Sequence, residues 1–198
     1  MDTISDVLKG LSVVHAKHKI PGRFLASDDA STRWPPALPC SVELEAFYNQ
    51  SEPHGVQIET GLTPLKLFDV IALEKVQTGY RWISNTGGLV LNDEWPAQDV
   101  VIMDDRGGGK PIIAVTNIKN TPVLASYDCV EPFKVADSLA DFILALTKLI
   151  DIVYDEFDIF DISNDDGIST TFMARVNSEI TPILGDDNRR RFVDYFYG

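Results

Sequence analysis

Several things are scarce in this sequence, and each shortage closes a route. Only two of the 198 residues are cysteine, Cys40 and Cys129. Two thiols do not make a disulfide framework, and a chain of this length can bury a core without one. Reduced thiols and a cytoplasmic location are therefore the expectation. Basic residues are also scarce: 17 Lys and Arg face 30 Asp and Glu, a net charge of −13 with pI ≈ 4.5. A surface this acidic repels phosphate, so neither nucleic acid nor an anionic membrane is an expected partner. It steers in a basic protein surface instead. No apolar run approaches the roughly 20 residues that a transmembrane helix needs. The opening residues Met1 to Asp6 lack the basic and apolar regions of a signal peptide. There is no internal repeat and no low-complexity tract.

What remains is an ordinary globular composition, 44% hydrophobic and 24% charged, which argues against wholesale disorder. Residues 2–18 have helical apolar spacing at Ile4, Leu8 and Leu11, with Asp2 and Thr3 as N-cap oxygens and Ile20-Pro21-Gly22 as the stop. Ser41 caps a short helix over 41–49. Residues 56–59 alternate as a half-buried strand does, and Leu65 begins another strand. A helical turn or two is expected around 73–82, with Tyr80 and Trp82 facing inward. Three apolar runs, 100–103, 111–115 and 122–127, are joined by short Gly- and Asn-rich loops. That pattern predicts an antiparallel meander. Residues 137–153 carry one wide apolar stripe, with Ser138 and Asp141 at capping-box spacing. Helices are expected over 170–184 and again after Asp186, the last with Phe192, Tyr195 and Phe196 on one face.

Motifs that promise chemistry fail on spacing. Gly107-Gly108-Gly109-Lys110 is not a phosphate loop, because Asp104 and Pro111 stand where that loop needs glycine and a hydroxyl. The stretch Asp161 to Gly167 does not match a calcium loop, since Ile162 and Met173 fall at ligand positions. His15 and His18 share a helix face without further ligands nearby in sequence, so no metal is expected. Neither cysteine lies in a catalytic context, and there is no G-x-S-x-G elbow. The acidic pairs Asp28-Asp29, Asp104-Asp105 and Asp165-Asp166 are expected in exposed loops, where carboxylates keep ordinary pKa values. The sequence thus predicts neither an enzyme nor a cofactor.

The centre of the chain resembles the SUKH superfamily. The resemblance runs over residues 30–150 and rests on an ordered set of features. They are Leu38-Pro39 before a short helix with Phe47, then Val101-Ile102-Met103-Asp104-Asp105-Arg106 with the three glycines, the strand Ile112 to Val115, the strand 122–127, and Ala136-Asp137-Ser138-Leu139 with Phe142. Lys110 stands where the family often has an acidic residue, and Asn49-Gln50-Ser51 where it often has Asn-Gly. The resemblance implies an α+β fold, with a mixed, mostly antiparallel sheet flanked by helices. It also implies an immunity protein that neutralises a cognate bacterial toxin, expected to be a basic, nuclease-like domain. The alternatives are a regulatory scaffold of the cell-wall or signalling type, or a small-molecule domain with a pocket lined by Trp82 and Trp95.

Charge sharpens the division. Residues 151–198 hold 11 acidic and 4 basic side chains, net −7, so under a quarter of the chain carries over half of the net charge. Residues 1–150 are expected to form the SUKH-like domain, and 151–198 an acidic helical extension packed on it. The partner-binding candidates are Asp104, Asp105 and Arg106 on the central turn, and Asp155, Asp158, Asp165 and Asp166 in the acidic segment.

Overall fold

A computed structural model describes residues 3–26, 33–127, 131–164 and 167–198. The pairs Asp28-Asp29 and Asp165-Asp166, together with Cys129, lie outside the described residues. Helix α1, Ile4–Lys17, starts where expected: the Thr3 side chain accepts from the Asp6 N–H. Helix α2, Val42–Gln50, is capped by Ser41, whose hydroxyl accepts from the Leu44 N–H. Helix α3 is Val70–Val76, capped by Asp69. Helix α4, Leu139–Asp151, opens on a reciprocal cap. The Ser138 hydroxyl accepts from the Asp141 N–H at 2.9 Å and donates to the Asp141 carboxylate at 2.7 Å. A π-helical turn, Ile152–Glu156, continues it. Helix α5, Thr170–Tyr197, is broken at Gly185, whose φ of 73° and ψ of 168° separate the two helices read from the sequence.

The strands are β1 Arg23–Leu25, β2 Glu52–His54, β3 Gln57–Ile58, β4 Leu65–Leu67, β5 Trp82–Asn85, β6 Gly88–Leu91, β7 Asp99–Asp104, β8 Ile112–Val115, β9 Val123–Ala125, β10 Phe133–Ala136, β11 Ser163–Asn164 and β12 Gly167–Ile168. The main sheet runs β10-β9-β8-β7-β4-β3 and every pairing in it is antiparallel. The fold is α+β, with a largely antiparallel sheet, packed helices and a C-terminal helix. Every residue of β7 and β8 is buried. Their near-continuous apolar runs follow from burial on both faces. Helix α4 sends Leu139, Phe142, Ile143, Leu146, Leu149 and Ile150 into the core. Helix α5 joins the same core through Phe172, Val176, Ile180, Phe192 and Phe196. Its far end is tied down by two phenols: Tyr195 donates to the Lys110 carbonyl, and Tyr197 to the Thr60 carbonyl.

One local reading differs from the structure. The helix expected over 73–82 lies earlier, at α3. The chain then turns at Gly79 and forms the β5–β6 hairpin, because Asn85-Thr86-Gly87-Gly88 supplies a two-residue turn between two apolar runs. Pro53 sits in β2, paired with Phe24 of β1 in a two-stranded ribbon. His15 and His18, at the end of α1, have different surroundings. His15 is buried edge-on against Phe24, and its pKa is lowered by that burial, whereas His18 bonds the Asp151 carboxylate at 2.8 Å.

Buried polar side chains complete the sheet. The Gln77 amide donates to the Leu73 and Val101 carbonyls and accepts from the Val101 N–H, all at about 3 Å. It acts as a one-residue strand beside β7, beyond the point where β4 stops pairing at Leu67. Gln77→Leu strands both Val101 groups. We expect a loss of about 2 kcal/mol, read as a lower urea midpoint with an unchanged slope.

Candidate functional site

The central turn is built around carboxylates that point inward. Asp104 ends β7 and is only 5% exposed. One oxygen accepts from the Asp105 and Lys110 N–H groups, and the other from the Tyr80 hydroxyl at 3.3 Å. Burial, reinforced by the neighbouring Asp105, raises its pKa to about 6. Asp105 is half-buried. Burial alone would raise its pKa too, but the N–H groups of Gly109, Gly108 and Lys110 converge on one of its oxygens and hold it below the ordinary value. This is how a glycine-rich turn closes on acidic residues: the glycine amides serve as ligands for Asp105. Arg106 is the one member of this trio at the surface, and it is ion-paired with Glu59.

Asp104 makes a testable contribution to pH dependence. Its folded pKa lies above the unfolded value of about 3.9, so the native state binds the proton more tightly. Its share of stability therefore falls as pH rises from about 4 to about 6, then levels off. Asp104→Asn keeps an acceptor oxygen and removes the titration. Urea unfolding is expected to show the variant gaining on the parent across that window, with a constant difference above it.

The acidic segment is arranged differently. The π-helical turn places Tyr154 so that its hydroxyl accepts from the Glu59 N–H at 3.1 Å. The loop that follows is held at both ends. Phe157 packs edge-on against Phe172 at 5.3 Å, and Ile162 is fully buried. Gly61 allows that approach: a Cβ there, at φ +99°, would lie 2.8 Å from the Ile162 Cδ1. Between the anchors, the Asp158 carboxylate accepts from the Phe160 N–H at 3.0 Å, and the Asp161 N–H donates to the Asp158 carbonyl. The result pushes Phe160 outward, 83% exposed, the most exposed large apolar side chain among the described residues.

Residues 155–161 carry four carboxylates and no basic side chain. Asp155 pairs with Lys17 at 3.1 Å, and Glu156 pairs with Arg175. Asp158 and Asp161 have no ion-pair partner among the described residues, and both are exposed. Asp165 and Asp166, the remaining candidates, lie outside the described residues. The structure therefore does not gather the sequence candidates into one patch: Asp104 and Asp105 are engaged in the turn, and Asp158 stands at the surface beside an aromatic. Phe160 itself was legible only as part of the apolar content of this segment. Its place between two aspartates, in a loop anchored by Phe157 and Ile162, is the signal that distinguishes it.

A cleft of ≈ 660 Å³ adjoins the central turn, lined by Tyr80, Trp95, Gly108, Gly109 and Glu131. Trp95 lines it, but Trp82 does not. The Trp95 indole N–H is committed to the Asp99 carbonyl, and its ring packs on Tyr80 at 5.4 Å. Among the described residues no group of His, Cys, Asp and Glu is placed to hold a metal ion, and no helix is long and apolar enough to cross a membrane. No family model, no curated protein and no solved structure matches this chain.

Proposed function

We propose that this chain is a non-catalytic binding protein of the immunity type, which neutralises a basic toxin domain by contact in the cytoplasm. The observation that carries this reading is Phe160, an exposed aromatic between the exposed carboxylates of Asp158 and Asp161, neither of which is ion-paired among the described residues. An aromatic anchor with a charged rim is the arrangement that concentrates binding energy at protein interfaces. The anchor fits an apolar pocket, and the rim fits lysines or arginines around it. A net charge of −13 speeds encounter with such a partner. The resemblance of residues 30–150 to the SUKH superfamily supports the same reading.

Affinity capture from the native host tests it. At low ionic strength the tagged protein is expected to retain a basic protein, released as salt is raised because exposed charge pairs are screened. Recovery of housekeeping proteins alone, with no basic partner, counts against the reading. A second reading rests on the Trp95 cleft as a small-molecule site. A ligand bound there raises the melting temperature, so a nucleotide and metal panel with no shift retires it.

A further inference from the structure

The β5–β6 hairpin stands apart from the main sheet. No other strand pairs with it: its register is Trp82↔Leu91, Ile83↔Val90, Ser84↔Leu89 and Asn85↔Gly88, and a single bridge joins Trp82 of β5 to Thr78. An isolated two-stranded hairpin is at best marginally stable in water. This one also exposes its apolar side chains: Leu89 is 59% and Leu91 53% exposed, with Ile83 and Val90 also at the surface. Its ten residues, 82–91, carry no charge in a chain where 24% of residues are charged. Lysines, prolines and inward charges are the usual guards of an open strand edge, and β6 has none of them.

We infer that β6 is a pairing edge for a second copy of this chain, which joins the two hairpins into a continuous four-stranded antiparallel sheet, β5-β6-β6-β5. Backbone geometry sets the register. The Asn92 N–H donates to the Arg81 carbonyl, so residue 92 faces β5. Alternation along an antiparallel strand then turns the N–H and C=O of Leu89 and Leu91 outward, to the open edge. A two-fold axis through Val90 sets Leu89 opposite Leu91 of the second copy, with each pair exchanging two hydrogen bonds. The same patch serves both copies, as a two-fold interface requires. Charge favours this occupant. In that register the paired residues are Gly88 to Leu91 of each copy, none of them charged, so no carboxylate meets another within the seam. The uncharged hairpin is where two copies, each at −13, make contact with least repulsion. None of its residues belongs to the Phe160 loop, so the two proposals fail separately.

Sedimentation of the purified protein decides it. At about 1 mM, where weak association is populated, the protein is expected to sediment as a dimer that dissociates on dilution. Added salt strengthens the dimer, because it screens repulsion between like-charged copies. The double variant Leu89→Lys, Leu91→Lys sets lysine against lysine across the seam and is expected to be monomeric. It also lowers the net negative charge, so a general electrostatic effect would move the equilibrium the other way. Circular dichroism establishes that the variant is folded. Should it fail to fold, hydrogen exchange on the parent chain replaces it, with the Leu89 and Leu91 amides expected to gain protection as concentration rises. A strict monomer at every concentration overturns the proposal, as does a dimer that survives the lysines. Protection of those amides only in a 1:1 complex with a basic protein would assign the edge to that partner and overturn the second copy.

Discussion

Phe160→Ala is expected to weaken capture of the basic partner by about 30-fold or more, equivalent to about 2 kcal/mol, with no change in melting temperature. The size follows from what an anchor does. A ring that enters a pocket on the partner loses nearly all of its exposed apolar surface, and truncation leaves that pocket empty. Stability is spared because the ring is 83% exposed and contributes little to the core of the free protein. Asp158→Asn and Asp161→Asn change a different quantity. Rim charges act mainly on the rate of encounter, so these variants are expected to slow association and flatten its salt dependence, with little change in dissociation. Surface plasmon resonance with the captured partner separates the two effects.

The largest stability effect is expected at Glu52. Its side chain is fully buried, which is rare for a glutamate and tolerable only with partners. Arg33 donates to both of its oxygens, the Val70 N–H at the start of α3 donates to one at 3.2 Å, and the His54 ring lies 3.7 Å away. Glu52 therefore ties three separated parts of the chain together and places negative charge at a helix N-terminus, where the dipole favours it. Glu52→Ala takes away the acceptor of the Val70 N–H and the carboxylate that binds two nitrogens of the Arg33 guanidinium. Arg33 reaches solvent in part and recovers some hydration, so the low end of the range for a broken buried pair applies, about 3 kcal/mol. For a chain of this size that corresponds to a fall of roughly 6–12 °C in melting temperature. Glu52→Gln keeps the shape and one acceptor, and is expected to lose less.

The parts of this fold that were legible in the sequence are those fixed by local signals. Ser41 and Ser138 cap the helices that they were expected to cap. The apolar stripe of α4 is wide enough to define its buried face, and Gly185 breaks the last helix between the two expected segments. The meander of β7, β8 and β9 follows from apolar runs with turn residues between them. Other features depend on partners distant in sequence. Nothing near Glu52 announces that Arg33 and Val70 will enclose it, and nothing near Gln77 announces that β4 ends two residues too soon to pair with Val101. The central aspartates show the same limit. Three consecutive glycines mark a turn, but only the folded loop reveals that the Gly108, Gly109 and Lys110 amides converge on Asp105 while Asp104 is buried. The hairpin at 82–91 did carry a local signal, Asn85-Thr86-Gly87-Gly88 between apolar runs. A helical expectation over 73–82 ran up to its first strand, but the helix ended at Val76.

The most direct test of the binding account is a photo-reactive phenylalanine analogue placed at position 160 and irradiated in the native host. Its control is the same analogue at Val42, which is also highly exposed but lies on α2. The account predicts one prominent crosslink from position 160, to a basic protein, absent from position 42 and competed away by unlabelled parent protein. No crosslink at position 160, or the same products from both positions, would contradict it.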